Sequence, residues 1–319
     1  MRAEQGFRLV REAARVYSSH LVKRALPLAL VCAALSAGCG GGGPLPRDLA
    51  GTLVFVSDRD GRDALYLRRL PGGADFQLTH LTEPVGEPAL SPNGRQVAFT
   101  MGGRIGLVTI DSHEVSFVTL GRDWQDASPC WRADGKALVV SSRRQDGSAA
   151  DLYQLALGQP TGADVRKRLT RTDHQDELQP AFSPDGTSVA FVRGDNVYHL
   201  SLADGSVKRL TGGFRLVRTA RFLPSGRLLC LWSQGKQFGM DVMDADGKNR
   251  ETLSQGSAFY RTVAPSPDGR YLAATLTYEA NALRFQQREE VRLLDAKGLP
   301  IAILAESWRT ATHSPYWGR

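Results

Sequence analysis

Three acidic residues, each within seven positions, and three arginines, all at one register, stand ahead of a corner motif that recurs along the 319-residue chain. Aligned on the corner proline or its equivalent, the preceding segments read VGEPALSP, DASPCWRA, ELQPAFSP, VRTARFLP, YRTVAPSP and WRTATHSP. The first three carry Glu87, Asp126 and Glu177, whereas the last three present Arg218-Thr219, Arg261-Thr262 and Arg309-Thr310 at one identical register. Guanidinium groups suit bidentate capture of a carboxylate, and a concave, low-dielectric mouth strengthens such contacts. Convergent carboxylates could instead hold a divalent ion that activates water. Either chemistry requires the six segments to meet in one place.

The corners say how they meet. LSPNG (90–94), WRADG (131–135), FSPDG (182–186), FLPSG (222–226) and PSPDG (265–269) are followed by a truncated sixth, HSPY (313–316). Their spacing of roughly forty to fifty residues is that of stacked supersecondary units. After each complete corner comes a short apolar run, as in QVAFT (96–100) or SVAFV (188–192), and often a second strand with an Asp-Gly turn, as in NVYHLSLADG (196–205). A third strand ends in Leu-Thr or Leu-Ser, as in VKRLT (207–211). With the strand before the corner this makes four per repeat, the content of one propeller blade. Pro cannot donate to a ladder and Gly supplies an unusual backbone angle, so the corner reads as a hairpin device and not as a repeated catalytic motif. The first strand, TLVFVS (52–57), has no corner before it, and HSPY has no strand after it. The sequence therefore predicts an all-β, six-bladed β-propeller of four-stranded antiparallel blades, closed by N- and C-terminal segments sharing one blade.

SPDG followed by VAF, then an aromatic-bearing strand and MDADG, resembles the repeat of TolB-type β-propellers, periplasmic proteins of an envelope system and their relatives. The resemblance covers residues 51–319 and is to the propeller alone. The additional α/β domain that precedes it in TolB finds no room between Cys39 and Gly51, so a propeller without that domain is expected. The resemblance implies a face used for partners. In such propellers the innermost strand lines the channel, which would put Glu87, Asp126 and Glu177 on one half of the channel mouth and Arg218, Arg261 and Arg309 on the other.

Residues 1–38 read as a lipoprotein signal peptide. Lys23-Arg24 precede the apolar run ALPLALVCAAL (25–35), too short to span a membrane but suited to an export signal. The small residues before Cys39 resemble a bacterial lipobox, which makes Cys39 the expected lipidation site. Residues 39–50 then form a Gly- and Pro-rich tether. By the same resemblance, Gly40 in place of Asp favours the outer membrane. More than half of the net charge of +7 belongs to this leader, and Lys and Arg are scattered among acids elsewhere, which argues against nucleic-acid binding. Cys130 and Cys230 sit in apolar strand patterns and read as core residues. The sequence has no HExxH, CxxC, GxSxG or GxxxxGK motif, so no metal, cofactor or catalytic residue is assigned.

These features together predict a monomeric, lipid-anchored propeller of the bacterial cell envelope. It would bind an envelope protein or peptide through an anionic group at the channel mouth, without catalysis. The alternative is a metal-dependent hydrolase working at the channel mouth, in the manner of lactonase-like propellers.

Overall fold

The computed structural model describes residues 44–318, apart from 122, 159–165, 173, 214, 279–287 and 308–312. All of its regular structure is β. Blade one starts with β1 (Gly51–Ser57), β2 (Ala64–Leu70) and β3 (Phe76–Gln77). Blade two is β4 (Val85–Leu90), β5 (Gln96–Met101), β6 (Arg104–Thr109) and β7 (Val115–Phe117). Blade three is β8 (Trp124–Trp131), β9 (Ala137–Arg144), β10 (Asp151–Ala156) and β11 (Arg166–Arg168). Blade four is β12 (Glu177–Phe182), β13 (Ser188–Arg193), β14 (Asn196–Ser201) and β15 (Val207–Arg209). Blade five is β16 (Leu216–Phe222), β17 (Leu228–Gln234), β18 (Gln237–Met243) and β19 (Glu251–Gly256). Blade six is β20 (Phe259–Pro265), β21 (Tyr271–Tyr278), β22 (Arg288–Asp295) and β23 (Pro300–Ser307). The last strand, β24 (His313–Gly318), returns to blade one and gives it the order β24-β1-β2-β3.

The first strand of each later blade, together with β24, forms the inner ring. β4 packs on β8, β8 on β12, β12 on β16, β16 on β20, β20 on β24, and β24 on β4 again. The six-bladed closed propeller expected from the sequence is the observed fold, and its first and last strands, β1 and β24, meet in one blade.

No single core fills the centre. Six apolar clusters instead lie between successive blades, because every sheet is covered on both faces. The period of two along a strand divides each apolar run between two such layers. In β9, Leu138 and Val140 pack with blade two while Val139 packs with blade four. This is why QVAFT and ALVVSS are almost continuously apolar and show no polar alternation.

The corners satisfy their own hydrogen bonds. The Ser183 hydroxyl donates to Asp185 at 2.5 Å and accepts the Ser188 N–H at 3.0 Å. Ser91 and Ser266 repeat the arrangement with Asn93 and Asp268. Gly94, Gly135, Gly186, Gly226 and Gly269 hold φ between 69° and 81°, a region that favours glycine. The repeated motif is thus a structural turn. What it leaves for function is the space that the six corners surround.

Candidate functional site

Inside the inner ring, at the corner end, lies a cavity of about 490 Å³ to which all six inner strands or their corners contribute. Most of its wall is apolar: Trp131, Phe182, Phe222 and Trp317 with prolines such as Pro92 and Pro184. Its charged groups and amide lie along one arc, built largely by an irregularity that three blades share, while Ser91, Ser183, Thr262 and Ser266 add hydroxyls elsewhere on the wall.

In β4, β8 and β12 the ladder skips two residues, between Gly86 and Ala89, Ala127 and Cys130, and Leu178 and Ala181. The skipped pairs are Glu87-Pro88, Ser128-Pro129 and Gln179-Pro180. Proline has no N–H to lose from the ladder, and the residue before it takes up the bend. Glu87, Ser128 and Gln179 accordingly have φ of 45°, 53° and 54°, uncommon for residues with side chains. Strain of this kind costs on the order of 1–3 kcal/mol and gathers at functional sites.

The bulges turn the three side chains into one network. Glu87 accepts the Ser128 N–H at 2.7 Å on Oε2 and the Ser128 hydroxyl at 2.8 Å on Oε1. The Gln179 amide nitrogen donates to Glu87 Oε1 at 3.2 Å and to Ser128 Oγ at 3.1 Å. On the far side, Arg221 of β16 donates to Gln179 Oε1 at 2.7 Å and to the Gln179 and Ala220 carbonyls at 3.2 and 3.1 Å. Blades two to five are thus linked through an arc with a carboxylate at one end and a guanidinium at the other. Cys130 also lines the cavity, and burial raises its thiol above the ordinary range, against smaller opposing effects of the Phe182 backbone and Arg221.

The residues singled out in the sequence go to different places. Glu87 lines the central cavity. Asp126 is buried and receives both terminal nitrogens of Arg166 at 2.7 Å, with the Ser142 hydroxyl at 2.6 Å. It borders a separate depression of about 510 Å³ with Gly102, Gly103 and Leu178, at the end where the inner strands begin. Glu177 is fully buried and takes hydrogen bonds from Arg193 Nε at 3.0 Å, the Leu152 N–H at 3.3 Å and Thr170. Burial raises its carboxyl, and Thr170 and Arg193 pull in the opposite direction. These two carboxylates precede the bulges, where the ladder is regular, so they tie strands together and do not line the central cavity.

Arg218 and Arg261 occupy matching places, as their register implies. Each is the single extra residue of a one-residue bulge, between Val217 and Thr219 and between Tyr260 and Thr262. Both are exposed and neither lines the central cavity. Arg218 lies over the Phe259 ring at 5.5 Å, and Arg261 pairs with Glu289 at 3.1 Å. Arg309 and Cys39 lie outside the described residues. The sequence reading missed Ser128, Gln179 and Arg221; the residue before proline at one register, shared with Glu87, was the available signal for Ser128 and Gln179, and it does not mark Arg221.

Among the described residues, no group of three His, Cys, Asp or Glu side chains gathers as a metal site would require. Cys130 and Cys230 are free thiols, and burial pushes Cys230 up to about 12.

With this geometry in view, a family model described as the TolB beta propeller domain matches residues 72–273. The chain belongs to the TolB β-propeller family. A protein TolB homolog of Chlorobium luteolum is 33% identical over 162 residues, covering 49% of this chain and 35% of that protein. The chain thus spans about a third of the length of the curated relatives it matches. The crystal structure of TolB from Acinetobacter baumannii superposes with a TM-score of 0.68 at 18% identity, covering 90% of this chain and 70% of that one. An oligogalacturonate lyase in complex with manganese superposes with a TM-score of 0.60 at 15% identity, over 82% and 76% of the two chains. At such identities the structural likeness is one of fold, and the TolB propeller fold alone does not choose between binding and catalysis.

Proposed function

We propose that this TolB-family propeller is a lipid-anchored scaffold of the cell envelope that binds a protein or peptide at its central channel without transforming it. The observation that carries the proposal is the cavity to which all six blades contribute, with strained residues from three of them turned into one polar arc. Large apolar area with a few converging polar groups is the make-up of a binding site. Binding is favoured over metal-dependent hydrolysis by the donor set: among the described residues the cavity offers one carboxylate, Glu87, whose two oxygens already take three hydrogen bonds.

The envelope setting is supported by the TolB homologues and by the segment ending at Cys39. Lipidation at Cys39 with more than one acyl chain would hold the protein firmly, and Gly40 points to the outer membrane. Arg218 and Arg261 form a second surface at the strand-entry end, where Leu178 and Leu216 are also exposed. A large partner would extend onto it.

The test is site-specific photocrosslinking in native membranes. A crosslinker at Leu223, in the cavity wall, should capture a defined partner that one at exposed Lys248 does not. Equal capture at both positions, or none at Leu223, overturns the channel as the binding site. In the same cells Cys39→Ser should move the protein from membranes to the soluble fraction; retention in membranes overturns the anchor.

A further inference from the structure

The ends of the polar arc are not equivalent. Other half-buried arginines of the ring have carboxylate partners within their own blades: Arg166 has Asp126, Arg193 has Glu177, and Arg215 and Arg250 share Asp241. Arg221 does not. Its three hydrogen bonds go to neutral acceptors, the Gln179 side chain and two backbone carbonyls, and no carboxylate pairs with it among the described residues. Among the described residues that line the cavity, it is also the only Lys or Arg. Those three bonds fix the guanidinium plane before any ligand arrives, which removes an ordering cost from binding.

We infer that Arg221 is the anchor for the free carboxylate of a peptide chain end whose last residues are apolar. This rests on the proposed function above and specifies the ligand of that same cavity. Three features of the site choose the chemistry. A single fixed guanidinium matches a single carboxylate in charge and in forked geometry. Glu87, at the other end of the arc, repels a second negative charge, which disfavours dianionic phosphate esters. The remaining wall of Trp131, Phe182, Phe222, Val263 and Trp317 offers apolar surface to the body of the ligand. Prolines such as Pro129, Pro184 and Pro267 add no backbone N–H that could compete for the anion. A cavity of about 490 Å³ falls in the range of small-ligand pockets, enough for roughly two or three residues of a chain end.

The experiment titrates the full chain with N-acetylated hexapeptides ending in every pairing of Leu, Val, Phe and Trp, each as free acid and as C-terminal amide. Quenching of Trp131 and Trp317, both in the cavity wall, reports occupancy. At least one acid should bind tenfold or more tightly than its amide. Arg221→Gln should abolish that difference with an unchanged melting temperature, and Arg221→Lys should restore part of it. If Arg221→Gln unfolds the protein, the acid-to-amide ratio in wild type and Arg221→Lys still decides. Equal binding of acid and amide, or binding of neither, overturns the carboxylate anchor. Octanoate binding as tightly as the best peptide acid reassigns the carboxylate to a lipid source and overturns the peptide. Capture at Leu223 reports separately on the channel: a partner found there with no acid preference would leave the scaffold proposal standing and this one refuted.

Discussion

The Trp317 indole donates to the Ala50 carbonyl at 3.0 Å, joining residues from opposite ends of the propeller. Around that bond β24 pairs with β1, with Leu53 opposite Trp317 and Thr52 opposite Gly318. Trp317 is buried in the apolar layer between blades six and one. Gly51 has φ of 115°, and a Cβ there would lie 2.5 Å from the Gly318 carbonyl oxygen and 2.6 Å from the Trp317 indole nitrogen. The seam therefore depends on a glycine on one side and a tryptophan on the other.

Trp317→Ala should cost about 3–5 kcal/mol, as large-to-small changes in cores do. Trp317→Phe keeps most of the bulk and loses the donor, so it should cost about 1 kcal/mol. Gly51→Ala should approach the larger loss, since both its backbone angle and its space exclude a methyl group. Denaturant unfolding measures all three, and limited proteolysis should cut the Trp317→Ala and Gly51→Ala variants first near β24. A Gly51→Ala protein as stable as the parent would show that the blade does not depend on this contact.

The split blade and the ring are legible in the sequence because the corner is a local device whose Ser, Pro, Asp and Gly make their bonds within five residues. The missing corner at one end and the missing strand at the other are likewise visible without long-range information. Side-chain direction in the inner strands is not. Glu87 stands in a bulge and faces the cavity, whereas Asp126 and Glu177, two residues further from their corners, stand in regular ladder and enter ion pairs. Charge alone makes the three look alike. The bulge that separates them is set by a residue before proline together with the twist of a closed ring, and that twist is a property of the assembled blades.

Glu177 supplies a test of this division. Its carboxylate joins Arg193 of the adjacent strand to Leu152 and Thr170 of blade three, so it clamps two blades. Arg193→Met leaves a buried carboxylate without its cation and should cost about 3 kcal/mol. Glu177→Gln keeps the shape and should cost about 1–2 kcal/mol. Replacing both, as Arg193→Met with Glu177→Leu, should recover part of the loss, because a buried pair is worth little over apolar residues of similar volume. Partner capture at Leu223 should be unchanged in every variant that remains folded. Lost capture in folded Glu177→Gln, with stability retained, would make Glu177 a binding residue instead.

The corner aspartates predict how the propeller fails in acid. Asp134 is brought to about 2 by a hydrogen bond from the Arg132 side chain and then by the Lys136 N–H. At Asp268 burial acts upward, but the Ser266 hydroxyl and the Arg270 N–H and side chain outweigh it and bring the group to about 2. Each of these carboxylates is more acidic in the folded chain than the ordinary value of about 3.9 in an unfolded one. A depressed folded pKa contributes stability that is fully present above the unfolded value and is lost as pH falls through the folded one. The window is therefore about pH 4 down to about pH 2. Glu177 acts with the opposite sign: its raised pKa means the folded chain holds that proton more tightly, so protonating it on acidification favours the folded state. Melting temperatures measured across pH 5 to 2 should fall most steeply in the aspartate window. In Asp134→Asn combined with Asp268→Asn the starting stability should be lower and the slope between pH 4 and 2 shallower, since the variant has fewer protons to gain on unfolding. An unchanged slope would mean that acid acts elsewhere, and that the corners hold their turns by glycine geometry alone.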